Sequence, residues 1–190
     1  MIEGMREQAF QLGIELTVMN LPNAVPPGYD LDGHVVLTPA IDDKQTLLEA
    51  VERGARFIIL GSDYPDNSSL PCVNADTRAG TREAVELLIK AGHRRIGLIG
   101  VLESFPNYQR EIEGYFDALK SVSLPVIPGY ILSRSPEEQN FRGRIIEWLN
   151  AHREITAVFA ADYAASLAPT CFRAGSSQAT PSRRSHDVKR

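Results

Sequence analysis

The chain has 190 residues, 20 Lys+Arg against 24 Asp+Glu, and a formal net charge of −4. With 43% apolar and 23% charged residues it has the composition of an ordinary globular protein. Its longest apolar blocks, of the Phe57-Ile58-Ile59-Leu60 kind, fall far short of a membrane span, and a net-acidic chain is a poor DNA ligand by itself.

Met1 to Glu7 has neither the basic start nor the apolar core of a signal peptide. Two cysteines, Cys72 and Cys171, build no disulfide framework or metal site, so the cytoplasm is the expected compartment. Residues 1–12 place Ile2, Met5, Ala9 and Leu12 on one helical stripe ended by Gly13, and residues 14–19 alternate like a strand. A loop rich in Pro and Gly, with Pro22, Pro26, Pro27 and Gly28, leads to a short strand at His34-Val35-Val36-Leu37. Asp42 or Asp43 is placed to cap a helix with Leu47, Leu48 and Val51 inward, stopped near Gly54. Phe57 to Leu60 reads as a strand buried on both faces, followed by a turn-rich loop from Asp63 to Ser69.

After the extended segment Pro71 to Asp76, Asp76 is expected to cap a helix from Thr77 to about Ala91 that buries Val85, Leu88 and Ile89. Glu86 and Lys90 have the spacing of a helix-face ion pair. His93, Arg94 and Arg95 follow Gly92, where cations suit the end of a helix. Arg95 to Ile99 is a strand, and Asn107 is expected to cap a helix whose inner face is Ile112, Tyr115, Phe116 and Leu119. Ser135-Pro136-Glu137-Glu138 has the pattern of a helix start, with a stripe of Phe141, Ile145, Trp148 and Leu149; Thr156 to Ala161 is the last strand.

Strands alternating with helices of this length make βαβ units, hence an α/β fold with parallel sheet. From Ser166 onward the periodicity ends, five basic residues face one acid, and little is left to bury. Residues 166–190 are therefore expected to be a disordered tail, foreign or frame-shifted in character. Ligands of open parallel sheets bind beyond the carboxyl ends of the strands. That rule selects Gly61-Ser62-Asp63, Gly100 through Phe105, and Asp162-Tyr163.

The stretch from Pro71 to Gly100 carries Val73-x-x-Asp76, Ala79-Gly80, Ala84, Leu87-Leu88-Ile89 and Gly92-His93-Arg94-Arg95-Ile96. With Asp32-Gly33-His34-Val35-Val36, Glu113-Gly114-Tyr115-x-x-Ala118-Leu119 and Thr156 to Ala161, this pattern closely resembles the LacI/GalR family of transcriptional regulators over residues 1–165. The resemblance implies a periplasmic-binding-protein-like effector domain of two lobes, parallel sheets flanked by helices, closing on a sugar or nucleobase. It divides the chain into residues 1–75 as part of the N-terminal lobe, without its first strand, and 76–165 as part of the C-terminal lobe. Operator DNA would be bound by a homodimer through a helix-turn-helix headpiece that this chain does not include. The chain is then expected to be a fragment truncated at both ends, sparingly soluble alone.

By the same resemblance, the residue at the end of the Val158-Phe159 strand contacts ligand. The family usually has Asn there; here it is Asp162, which serves either as a carboxylate for sugar hydroxyls or as a helix N-cap. The family's binding arginine stands three residues before the helix glycine, a position occupied here by Glu111. Arg110, one residue earlier, points either into the cleft or into water. Gly61, Ser62 and Ser104 fall on cleft-edge loops, and Phe105, Tyr64 or Tyr163 is available to stack on a sugar ring or to fill core. No metal, cofactor or catalytic group is implied. Gly97-Leu98-Ile99-Gly100 lacks the third turn glycine of a dinucleotide loop, and no nucleophile elbow, Walker loop or His-Glu-x-x-His occurs. An export-type sugar-binding protein is the alternative to a regulator.

Overall fold

A computed structural model of the chain describes residues 2–15, 32–64 and 70–162. Most of the strand expected at 14–19, most of the Pro/Gly loop, residues 65–69 of the turn-rich loop, Tyr163 and the 166–190 tail lie outside the described residues. The chain divides into two compact units, Met1–Asn74 and Ala75–Arg190.

In the first unit, α1 (Ile2–Gln11) ends before Gly13, whose φ of +67° is the left-handed conformation that stops a helix without strain in glycine. Of its expected apolar stripe only Ala9 is buried, and Leu12 is 68% exposed. Strands β1 (His34–Leu37), β2 (Phe57–Leu60) and β3 (Cys72–Val73) form a parallel sheet in that order. A single 3-10 turn, Ile41–Asp43, leads into α2 (Lys44–Glu52). Asp43 does not cap the helix ahead of it; its carboxylate accepts the Ala40 N–H at 2.8 Å and closes the turn behind. Leu47 and Ala50 face inward while Val51 lies outside, contrary to expectation.

Val36, Leu47, Ile59, Tyr64 and Leu70 form the core of this unit. Because that core covers one face of the sheet, β2 is not buried on both: Ile59 is 0% exposed and its neighbour Ile58 37%. An unbroken apolar strand therefore over-reads burial in a sheet of three strands.

The second unit is built around β4 (Ile96–Leu102), with β5 (Ile131–Arg134) and β6 (Ala157–Ala160) parallel on either side. Helices α3 (Thr77–Lys90) and α4 (Asn107–Ser121) pack on one face, and α5 (Phe141–Ala151) on the other. Alternate residues of β4 sort to the two faces. Ile96 and Leu98 meet Val85, Ile89, Tyr115 and Leu119, and Ile99 meets Phe141, Ile145 and Trp148. The Tyr115 hydroxyl donates to the Ile96 carbonyl at 2.7 Å, so this fully buried phenol carries a partner into the core.

Two glycines permit the layers to close. A Cβ at Gly97 would lie 2.5 Å from the Trp148 ring, and one at Gly114 would lie 2.3 Å from the Arg78 carbonyl oxygen. Gly114 thus lets the α4 backbone rest directly on α3.

Several helix and strand limits differ from expectation. The strand predicted at 95–99 continues to Leu102, through an irregularity in pairing between Ile99 and Val101 at Gly100, whose φ is +83°. That shift returns Val101 to the face of Leu98. Asn107 is the first residue of α4 rather than its cap, the boundary falling at Pro106. α5 begins at Phe141, not after Ser135, because the Ser135 hydroxyl turns to the Glu137 carboxylate and the segment forms turns. Glu86 pairs with Arg82 at 2.8 Å instead of with Lys90.

Candidate functional site

The carboxyl ends of β4 and β5 lie side by side because the two strands are parallel neighbours in register, Leu102 beside Arg134. Beyond them is a hollow of about 380 Å³ lined by Glu103 and Ser104 after β4, and by Ser133, Arg134, Ser135 and Glu137 along β5 and its exit. Arg144 of α5 completes the wall. Its Nη1 meets the Glu138 carboxylate at 2.8 Å and its Nη2 donates to the Ser133 carbonyl at 2.8 Å, which fixes the strand end against the helix. Phe141 offers its ring to both guanidiniums, Arg134 at 5.7 Å and Arg144 at 5.8 Å.

Asp162, at the end of β6, pairs through its carboxylate with Nη1 of Arg134. The α4 carboxyl of Glu111 is pushed up to about 7, first by burial and then by the neighbouring Asp162 charge. Ser104 is exposed on the rim. Phe105 is half-buried just behind it, its N–H bound to the Leu102 carbonyl at 3.0 Å. Arg110 is partly exposed on the first turns of α4. Of the expected ligand residues in this unit, Ser104 lines the hollow and Asp162 grips one of its walls through Arg134. Phe105 and Arg110 do not line it.

Gly61 and Ser62 belong to the first unit, at the end of β2. Gly61 has φ +79° and its N–H donates to the Val73 carbonyl at 3.0 Å. Ser62 is 1% exposed and its hydroxyl has no hydrogen-bond partner among the described residues. Asp63 accepts from the Asn74 amide at 2.8 Å. Tyr64 is core, not a stacking platform: it is buried and its hydroxyl donates to the Ala40 carbonyl at 2.9 Å, while burial, then the Asp43 charge, pushes its phenol up to about 12.

Asp76 acts as a cap, accepting the Ala79 N–H at 2.9 Å. His93 rests against the Thr156 hydroxyl at 3.0 Å, and Arg94 donates to the Ile89 carbonyl at 2.9 Å, closing the end of α3. No group of three His, Cys, Asp or Glu suited to a metal ion occurs among the described residues.

Sequence reasoning passed over Arg134, Ser133 and Ser135. Their strand has only Ile131 and Leu132 as an apolar signal, and a Ser-Pro-Glu-Glu pattern directly after it reads as a helix start. In the structure the parallel order β5-β4-β6 brings the carboxyl ends of these strands to one edge.

Residues 29–178 match the family described as periplasmic binding proteins and sugar binding domain of LacI family. The repressor ExuR of Bacillus subtilis, a probable HTH-type transcriptional repressor by its full name, is 28% identical over 107 residues, 56% of this chain and 31% of that protein. Among solved structures, a complex of the transcriptional regulator CelR with cellobiose is 26% identical and superposes with a TM-score of 0.65, over 77% of this chain and 45% of the other. A transcription regulator from Lactobacillus plantarum shares the fold at 19% identity, with a TM-score of 0.74 over 89% of this chain and 64% of the other. The chain spans 31% to 40% of the length of its first two curated relatives, which include catabolite control protein A of Priestia megaterium. With the family match extending over most of its length, the chain belongs to the family of periplasmic binding proteins and LacI-type sugar-binding domains.

Proposed function

We propose that the chain is the effector-sensing part of a LacI-type transcriptional regulator, and that it takes a small sugar-like molecule at the carboxyl ends of its strands. The observation that carries this is the family match over residues 29–178, joined to relatives that are transcriptional regulators rather than enzymes. Those same relatives favour a regulator over an export-type binding protein.

In this reading the lobes are residues 1–75 and 76–165. Within the second, Ser104 on the rim of the hollow and Asp162, held to Arg134, are the ligand residues. The hollow beside Arg134 supplies both donors and acceptors, as a hydroxyl-bearing ligand requires. The whole protein would work in the cytoplasm as a homodimer, holding operator DNA through a headpiece outside this sequence. An effector can switch such a protein only by binding its two operator-affinity states unequally.

Calorimetric and thermal-shift titration of the chain against a panel of neutral sugars, acidic sugars and nucleosides tests the proposal. One class is expected to bind and raise the melting temperature; silence across the whole panel rejects an effector domain.

A further inference from the structure

A guanidinium carries five N–H donors in a rigid fork. The two arginines of the hollow use theirs differently. Arg144 is tied at both ends, to Glu138 and to the Ser133 carbonyl. Arg134 holds one described acceptor, Asp162, through Nη1. Its side chain is only 18% exposed, and its Nε is buried with no acceptor among the described residues. A buried N–H left in that condition carries a desolvation cost, and a bound water, ion or ligand is one way such a group is satisfied.

The edge of the fork away from Nη1, Nε with Nη2, is a paired donor that matches two neighbouring oxygen atoms. Asp162 grips the opposite corner and the Phe141 ring lies 5.7 Å away, so the guanidinium is tethered at the wall of the hollow. Charge decides which acceptors. Glu103 and Glu137 line the hollow, and Asp162 and Glu138 already neutralise the two arginines. A free oxyanion would meet an excess of carboxylate, whereas adjacent hydroxyls accept from the fork and donate back to Glu103 or Ser104.

Resting on the effector-domain reading above, we propose that Arg134 is a specificity-determining residue of the second unit. Its Nε–Nη2 edge reads two adjacent hydroxyl oxygens of a neutral polyol, reached by a small turn of the guanidinium with Asp162 still held.

The test is calorimetry on the full chain with glucose, galactose, ribose and cellobiose, their deoxy analogues, glucuronate and inorganic phosphate. Arg134→Lys keeps the charge that pairs with Asp162 but has no fork. Arg134→Gln removes both, and Arg142→Gln, exposed on α5, is the control. The wild type is expected to prefer one neutral sugar over its deoxy analogue by about tenfold or more, as a site built around a hydroxyl does. Arg134→Lys should melt like the wild type, bind that sugar at least about tenfold more weakly, and no longer distinguish the analogue. Unchanged affinity and discrimination in Arg134→Lys would overturn the assignment while leaving the effector domain intact. Tighter binding of glucuronate or phosphate would overturn the neutral ligand class. A wild-type chain that binds none of the probes removes the effector reading and this inference together.

Discussion

Glu111 is where the chemistry of a single residue reaches the behaviour of the fold. Its carboxyl is raised to about 7 by burial, with the Asp162 charge adding to it, so the folded state favours the protonated form. In the unfolded chain the group titrates near its ordinary value, about 4.3. Its contribution is therefore fully present below that value, is lost as pH rises through about 7, and changes no further above. The penalty at pH 8 is on the order of 1–2 kcal/mol after allowance for the solvent that still reaches the group. Glu111→Gln, which cannot ionise, should match the wild type in urea midpoint near pH 4 and exceed it at pH 8. Identical midpoints for the two proteins at pH 8 would show that folding does not raise the titration of this carboxyl.

At the scale of the element, the contact between α3 and α4 is decided by one missing methyl group. Replacing a glycine inside a helix with alanine normally gains about 1 kcal/mol of helix propensity. At Gly114 the added Cβ would stand 2.3 Å from the Arg78 carbonyl and 3.0 Å from the Thr81 Cβ, both part of a helix that cannot yield locally. The clash must part the two helices, and overpacking of that kind costs about 1–3 kcal/mol. Gly114→Ala is therefore expected to lower the denaturation midpoint, which a urea titration followed by circular dichroism measures; a stabilised variant would mean that α3 and α4 sit farther apart.

The same elements show what could be read beforehand. Helices with a wide apolar stripe and a glycine stop, α3 above all, were legible because their signal is local: Val85 and Ile89 repeat at helical spacing, Asp76 caps and Gly92 closes. Strand β5 was not, since four residues with two apolar side chains carry almost no periodicity, and its existence depends on pairing with β4. The site suffered most from that gap. Asp162 was identified from the end of its strand, but its partner Arg134 lies on the strand that could not be seen, 28 residues away in sequence. Ser62 was selected as a ligand residue by position alone, and burial of its hydroxyl is a fact only coordinates supply.

For the molecule as a whole, protection should follow the layering within each unit. β4 has a strand on both sides and helices on both faces, and Ile96, Leu98, Ile99 and Val101 are at most 1% exposed. To expose their amides the second unit must lose its sheet pairing and both of its apolar clusters, close to global unfolding of that unit. In the first unit α1 buries only Ala9, and Phe10 is 86% exposed, so its amides open by local fraying. Hydrogen exchange followed by mass spectrometry should find peptides covering Ile96–Ile99 the slowest in the chain and those covering Ile2–Gln11 among the fastest. β2 should fall between them, having one covered face and strands only four and two residues long on either side. If α1 exchanged as slowly as β4, its apolar side chains would have to be packed against a surface in solution, and the ranking of stability by buried layers would fail.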